Sequence, residues 1–513
     1  MASVSESNND GKTTDGSSDW QSLKRQASGV VNLAVGHPHA DALPNTILAN
    51  AFQRAARNLT EDPSVLGSTE SKPSALVNMS YIARRGDPHA LHTLAGFLTD
   101  AYSEVGRGDS THDEPTTSDA PTTSKYLYAQ SVVTSSSLLL AAGASHALDV
   151  ACAALTQPGD TVVVETPTYF LAEDVFRDRK LNVVAVPGAG LMRNTDDEAN
   201  HSSFDVSLFE NELRAGLRPK LVYLVPTHGN PRGGTLPLGD RKRLIKLARA
   251  FDFYIVADEV YHLLSWGRGV DAPPKRFVEA ERIVEREEND GDKSTPDSND
   301  AHDADDLDDP YADPVAASSS HKNNSNARVV SLGSFSKILA PGMRLGWIES
   351  HPTLINTLAN RGYLSSGGSI SPLAASIAMS VIESGEQEVW LARLQERYKS
   401  AAAALSTAVA LETKETKWIL HTKSNTTNAP SGGYFAWLAL PETCDMDELA
   451  VQTEKHQVAV LRGDRCVAGG RDDNDVSFLA SKQCVRLCFA YLDEDEIVEG
   501  VRRLARAVRA ATM

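Results

Sequence analysis

Residues 331–350 read SLGSFSKILAPGMRLGWIES. The stretch ARVV before them, with Val329 and Val330, predicts a buried strand that ends near Leu332. Ser334, Ser336 and Lys337 follow at once, then Pro341, Gly342 and Arg344. A lysine just past a buried strand stands in a partly desolvated pocket. Desolvation lowers its pKa, and the neutral amine is a nucleophile for an aldehyde. The two hydroxyls and the guanidinium suit a phosphate, as neutral donors beside a planar cation. Taken alone, the same residues also describe a Ser/Gly-rich surface turn.

Working outward, short apolar runs alternate with amphipathic ones. TVVVETP (161–167), LVYLVP (221–226), FYIVADE (253–259) and ARVVSLGSF (327–335) predict strands. AGASHALDVACAAL (142–155) and LGDRKRLIKLARAF (238–251) predict helices. This alternation predicts an α/β fold with a mostly parallel sheet covered on both faces. Ligands of such folds bind at the carboxyl ends of the strands. The C-terminal part differs: helices over LAASIAMSVIES and VWLARLQERYKSAAAAL, strands over GGYFAWLAL, VAVLR and CVRLCFAYL, then an acid-opened helix from DEDEIVEGV. That pattern predicts a smaller α+β domain. The expected division is a disordered tail over 1–28, an N-terminal segment over 29–80 packing with the small domain, a large domain over 81–360, and the small domain over 361–513. Polar surface insertions are expected at about 106–125, 190–204 and 268–327; within the last, RFVEAERIVERE predicts one helix.

The 513 residues are 41% hydrophobic and 23% charged, with a formal net charge of −18. Residues 287–313 hold twelve acids against Lys293 alone, so this stretch carries −11 of the −18. A chain this acidic lacks the basic patches that phosphate backbones need, and no nucleic-acid partner is expected. No apolar run reaches membrane-span length, so no membrane partner is expected either. Cys152, Cys444, Cys466, Cys484 and Cys488 form no CxxC pair, and residues 1–30 have no apolar signal core. A cytoplasmic location is the expectation. The fourteen histidines show no metal-ligand spacing, and no metal is expected.

Other polar residues fall near predicted strand ends. VADEVYHLL places Asp258 at one, with Tyr261 three residues on. PTHGNPRGG (226–234) holds Asn230, ETPTYF (165–170) Tyr169, and AAGASHALD (141–149) a glycine-led helix start. Each has a plain structural explanation by itself: a helix cap, a turn, a core tyrosine.

Together they carry a family resemblance. Residues 334–346 resemble the cofactor-lysine motif S-x-S-K-x-x-x-P-G-x-R-x-G of the class I/II aminotransferases, pyridoxal-phosphate (PLP) enzymes of fold type I. The seven-residue step from Lys337 to Arg344 resembles the 2-aminoadipate aminotransferase branch. The resemblance implies that Lys337 holds PLP as a Schiff base and shuttles the substrate proton. It implies that Asp258 pairs with the protonated pyridine nitrogen, and that Tyr261 and Asn230 hydrogen-bond the ring oxygen. Tyr169 would stack on the ring. Ser334, Ser336, Arg344 and the backbone amides of Ala144, Ser145 and His146 would cradle the phosphate. Arg486 would fork onto the substrate α-carboxylate beside Gly36. Tyr81 would reach the phosphate of a neighbouring subunit, which implies a homodimer with shared sites. The chain departs from the family at His146, His92 and Arg462-Gly463, where relatives often carry Gln, Arg and Pro-Gly. The 79 residues from Asp258 to Lys337 exceed the family's usual gap, which the acidic insertion accounts for.

The implied activity is transfer of an amino group from an L-amino acid to a 2-oxo acid. The branch favours 2-aminoadipate, with aromatic amino acids and 2-oxoglutarate as alternates. Cofactor motifs do not separate this from a C–S β-lyase on the same fold. A non-enzymatic ligand sensor is a remoter alternative, because such proteins carry a DNA-binding module and the roughly thirty residues before VNLAVG are too few and too acidic to be one. Residues near Gly36 and within 364–372 would read the side chain.

Overall fold

The computed structural model describes residues 29–60, 81–105, 132–188, 204–291, 326–367, 370–416, 418–422, 429–469 and 476–512. The tail over 1–28, the stretch 61–80, the insertion at 106–125, most of that at 190–204 and the acidic run from 292 lie outside the described residues.

Strand β1 (Val31–Asn32) comes first. The seven strands of the central sheet are β2 (Leu138–Ala141), β3 (Thr161–Thr166), β4 (Asn182–Pro187), β5 (Leu221–Leu224), β6 (Tyr254–Asp258), β7 (Val329–Ser334) and β8 (Gly346–Ser350). Their order is β2-β8-β7-β6-β5-β3-β4, and only β8 runs against its neighbours. The β-branched runs are buried on both faces, as a covered parallel sheet requires. Side chains alternate with period two. Val164, Tyr223, Val256 and Val330 enter one core; Val163, Val222, Ile255 and Val329 enter the other.

Helices cover both faces. The chain-order series is α1 (Asn45–Thr60), α2 (Pro88–Val105), α3 (Ala144–Leu155), α4 (Phe170–Asp178), α5 (Val206–Ala215), α6 (Leu238–Phe251), α7 (Phe277–Gly291) and the single turn α8 (Phe335–Ile338). Helices α3 and α4 bury Leu148, Ala151 and Phe176 on the first face. Helices α5, α6 and α7 bury Phe209, Leu244 and Val284 on the second.

The C-terminal strands are β9 (Ile419–Leu420), β10 (Phe435–Ala439), β11 (Val458–Ala459), β12 (Leu461–Arg462) and β13 (Cys484–Cys488). Four make an antiparallel sheet in the order β12-β13-β10-β9. The run VAVLR forms two strands, because β11 turns away at Val460 to pair in parallel with β1. That pairing ties the N-terminal segment to the C-terminal part. Among the described residues no helix is long and apolar enough to cross a membrane.

One expectation needs correction. Residues 268–327 were expected to form a surface insertion, yet their first part is core. Phe277, Val278, Ala280 and Val284 of α7 are buried against β7 and α6. Phe204, at the edge of the insertion expected at 190–204, is also fully buried. The acid-rich composition of α7 concealed an apolar stripe at helical spacing.

Beside α7 lies a network of buried charges. Arg276 is 1% exposed and pairs with Glu279 and Glu349, while its guanidinium stacks on the Tyr102 ring at 3.5 Å. Arg241 pairs with Glu259 at 3.3 Å, and Glu259 also accepts from Ser331 and from the Phe277 amide. Removing one member strands its partner's charge out of water. Arg276→Ala should therefore lower unfolding stability by about 3–5 kcal/mol. Urea denaturation checks this, and a loss under about 1 kcal/mol would place the pair in the solvated class.

Candidate active site

The carboxyl ends of β3, β5, β6 and β7 converge on the N-terminus of α3 around a cavity of about 340 Å³. Ligand sites of open parallel sheets lie at this end because the chain departs into loops there. Each strand delivers one group. Asp258 ends β6, Ser334 ends β7, Tyr169 follows β3, and Asn230 follows β5. The C-terminal sheet contributes Arg486 from β13, and the N-terminal segment contributes Gly36.

Lys337 lies on α8, one turn past β7. Its Nζ donates to the Gly36 carbonyl at 3.2 Å and sits 4.8 Å over the Tyr434 ring. Burial pushes the amine down to about 8, against which the Asp258 carboxylate raises it. The neutral, nucleophilic form is therefore accessible near neutral pH. Asp258 is pushed up to about 6 by burial, while the Tyr223 hydroxyl and the Val260 amide hold it down. It remains mostly ionised at neutral pH. Its Oδ2 accepts from Tyr223 at 2.9 Å, and its Oδ1 is buried without a partner among the described residues. An orphaned buried carboxylate oxygen is costly unless a ligand supplies the donor.

Arg486 is 5% exposed, donating to the Ala34 carbonyl at 2.6 Å and to Asn230 Oδ1 at 2.8 Å. It also stacks on Phe435 at 4.1 Å. These contacts fix the guanidinium plane. The bond to Oδ1 turns the Asn230 amide nitrogen to serve as a donor. Gly36 passes close to this platform: a Cβ there would meet the Phe435 ring at 2.8 Å.

At the opposite end, Ala144, Ser145, Ser334, Ser336 and Arg344 line the cavity. The N-cap of α3 is Gly143, whose φ is +92° and which supplies no side-chain cap. A Cβ at Gly143 would meet the Arg344 guanidinium at 2.8 Å, so glycine is needed for the approach. Arg344 is tied to the Ala142 and Pro341 carbonyls. A helix start, two hydroxyls and a guanidinium together form an anion cradle.

All the residues expected at the site line this cavity except His146 and Tyr81. His146 turns its Nδ1 back to accept from the Ala142 amide at 3.0 Å. Tyr81 is 87% exposed and lies against Gly367. The sequence reading missed the contributions of Tyr223, Tyr434 and Phe435. Tyr434 and Phe435 stand in GGYFAWL, a continuous apolar run that predicts a strand and assigns no role to either residue. Tyr223 hides in the apolar run LVYLVP.

Comparison with known proteins gives a consistent result. Residues 122–504 match the family model described as aminotransferase class I and II. The chain is 29% identical over 378 residues to aromatic-amino-acid aminotransferase 1 of Thermococcus litoralis, covering 72% of each chain. It is 26% identical over 374 residues to the 2-aminoadipate transaminase of Thermus thermophilus, covering 72% of this chain and 75% of the relative. Among solved structures, the multiple substrate aminotransferase of Thermococcus profundus superposes with a TM-score of 0.66 at 24% identity, over 96% of this chain and 94% of that one.

Proposed function

The chain belongs to the class I and II aminotransferases, and on that premise we propose that Lys337 is the cofactor-bearing proton shuttle of a PLP-dependent transaminase acting on aromatic amino acids, 2-aminoadipate or both, with 2-oxoglutarate as acceptor. The observation that carries this assignment is the unpartnered Asp258 Oδ1 in the cavity that also holds Lys337 and Arg486.

The residues fit PLP. Asp258 offers a buried acceptor for a protonated ring nitrogen. The α3 start, Ser334, Ser336 and Arg344 offer an anion cradle at the far end, with Tyr169 and Tyr261 lining the space between. When bound, PLP supplies an aldehyde that holds the substrate nitrogen and a ring that accepts the electron pair left by the departing α-proton.

Around that group the chain's own residues divide the work. Arg486 grips the substrate α-carboxylate, its plane set by Ala34, Asn230 and Phe435. Lys337 Nζ takes the α-proton as a neutral amine and returns it as an ammonium. Asp258 holds a proton on the ring nitrogen through its charge. Phe170, Leu171 and Val175 line the cavity beside Tyr169, and an apolar wall of this kind supports long or aromatic side chains. Tyr81, exposed and outside its own chain's cavity, is available to the site of a second copy in a homodimer.

A half-reaction screen tests the assignment. The loaded enzyme is mixed with one amino acid at a time and the 2-oxo acid is quantified. Phenylalanine, tyrosine or 2-aminoadipate should give one 2-oxo acid per site, and 2-oxoglutarate should restore the starting state. The rate should rise with pH through about 8, because only the neutral Lys337 amine accepts a proton. Pyruvate and a thiol from a cysteine conjugate, with no turnover of these amino acids, would overturn it.

A further inference from the structure

We propose that Tyr223 is a positioning residue of the transamination site, which keeps Asp258 ionised and aimed at the ring nitrogen by donating its buried hydroxyl to Oδ2. The proposal rests on the assignment of Asp258 as the partner of that nitrogen.

The geometry follows from the sheet. Strands β5 and β6 are parallel, with Tyr223 opposite Val256. Asp258 is two residues farther along β6, on the same face, so it is the diagonal neighbour of Tyr223. A tyrosine is long enough to span that diagonal. The ring is wholly buried and braced edge-on by Phe176 of α4, with centroids 5.5 Å apart. The hydroxyl meets Asp258 Oδ2 at 2.9 Å. One oxygen of the carboxylate is thereby satisfied from within the fold, while Oδ1 is buried without a partner among the described residues, in a side chain that lines the cavity.

The charges around the pair decide what the bond does. Burial disfavours the charged form of Asp258, and the neighbouring Glu259 carboxylate adds to this. Lys337, the Val260 amide and the Tyr223 hydroxyl oppose it. The Tyr223 phenol faces Asp258, Tyr169 and Glu165, and burial with these neighbours holds it well above its ordinary value. It stays protonated and can only donate. Without the hydroxyl, Asp258 keeps the Val260 amide and loses its one side-chain donor among the described residues. A carboxyl in that state drifts toward its neutral form, and a neutral carboxyl no longer holds a proton on a ring nitrogen. Hydrogen bonds to charged groups exceed ordinary ones, so the expected change in the protonation equilibrium is about tenfold, or about one pH unit.

The experiment uses the holoenzyme loaded with PLP labelled with ¹⁵N in the ring, and reads nitrogen protonation by NMR across a pH series. Wild type, Y223F, D258N and the double variant are compared, with thermal melts confirming the fold. Y223F should lower the pH at which the ring nitrogen loses its proton by about one unit, and Y223F should add nothing in the D258N background. An unshifted Y223F beside a shifted D258N would overturn the role of Tyr223 and leave it a packing residue. An unshifted D258N would instead overturn the Asp258 assignment itself. Should Y223F fail to fold, Y223H restores a donor and Y223L does not. The shift must then appear in Y223L and be smaller in Y223H; equal shifts would count against the proposal.

Discussion

Lys337→Ala, purified and supplied with PLP, should lose turnover by a factor on the order of 10⁴ or more. Two functions are removed together. The amine that anchors the cofactor is gone, and so is the base that moves the α-proton. Among the described residues the neighbours of Nζ do not replace it: Tyr261 and Tyr434, whose rings flank Nζ, hold their phenols well above the ordinary value. Cys488 is pushed up by burial and stays a thiol. The fold should survive, because among the described residues Lys337 makes one side-chain hydrogen bond, to Gly36, and α8 is held by Phe335 and Ile338 in the core. Steady-state assay with a thermal melt checks both halves. Retained turnover in a folded variant would refute the role.

Asp258→Asn should lower kcat on the order of 10²- to 10³-fold, the scale of losing one preorganised electrostatic partner. The amide is nearly isosteric, and it can still accept from Tyr223. It carries no charge to keep the ring nitrogen protonated. The sign of the pH dependence follows. At low pH the nitrogen protonates unaided, and at higher pH it does not, so the deficit relative to wild type should grow as pH rises. A deficit that is constant with pH would assign Asp258 to structure alone. Rate profiles of the two proteins over the same series decide this.

Much of the architecture was legible because it rests on local chemistry. The β-branched stretch Thr161–Val164 and the pair Val329-Val330 announce strands buried on both faces, and the Ser-x-Ser-Lys turn after the second marks its carboxyl end. The meeting of Arg486 with Asn230, 256 residues apart, could be anticipated only through family resemblance, because no local pattern encodes it. Helix α7 was misread for a physical reason. Its acids dominate the composition, while burial depends on the positions of Phe277, Ala280 and Val284 and on the pairing of Arg276. His146 stands where relatives often carry Gln, and its ring is engaged with the turn before its own helix. Tyr223 escaped notice because a tyrosine in an apolar strand is mostly body, and its partner lies on the next strand, 35 residues away.

The most direct test of the central claim is chemical trapping. The loaded enzyme is reduced with borohydride, digested and mapped by mass spectrometry. A pyridoxyl group on the peptide containing Lys337, absent when Lys337→Ala is treated in the same way, is the predicted result. A pyridoxyl group on a different lysine, or none on any lysine of an enzyme that still transaminates, would contradict the account.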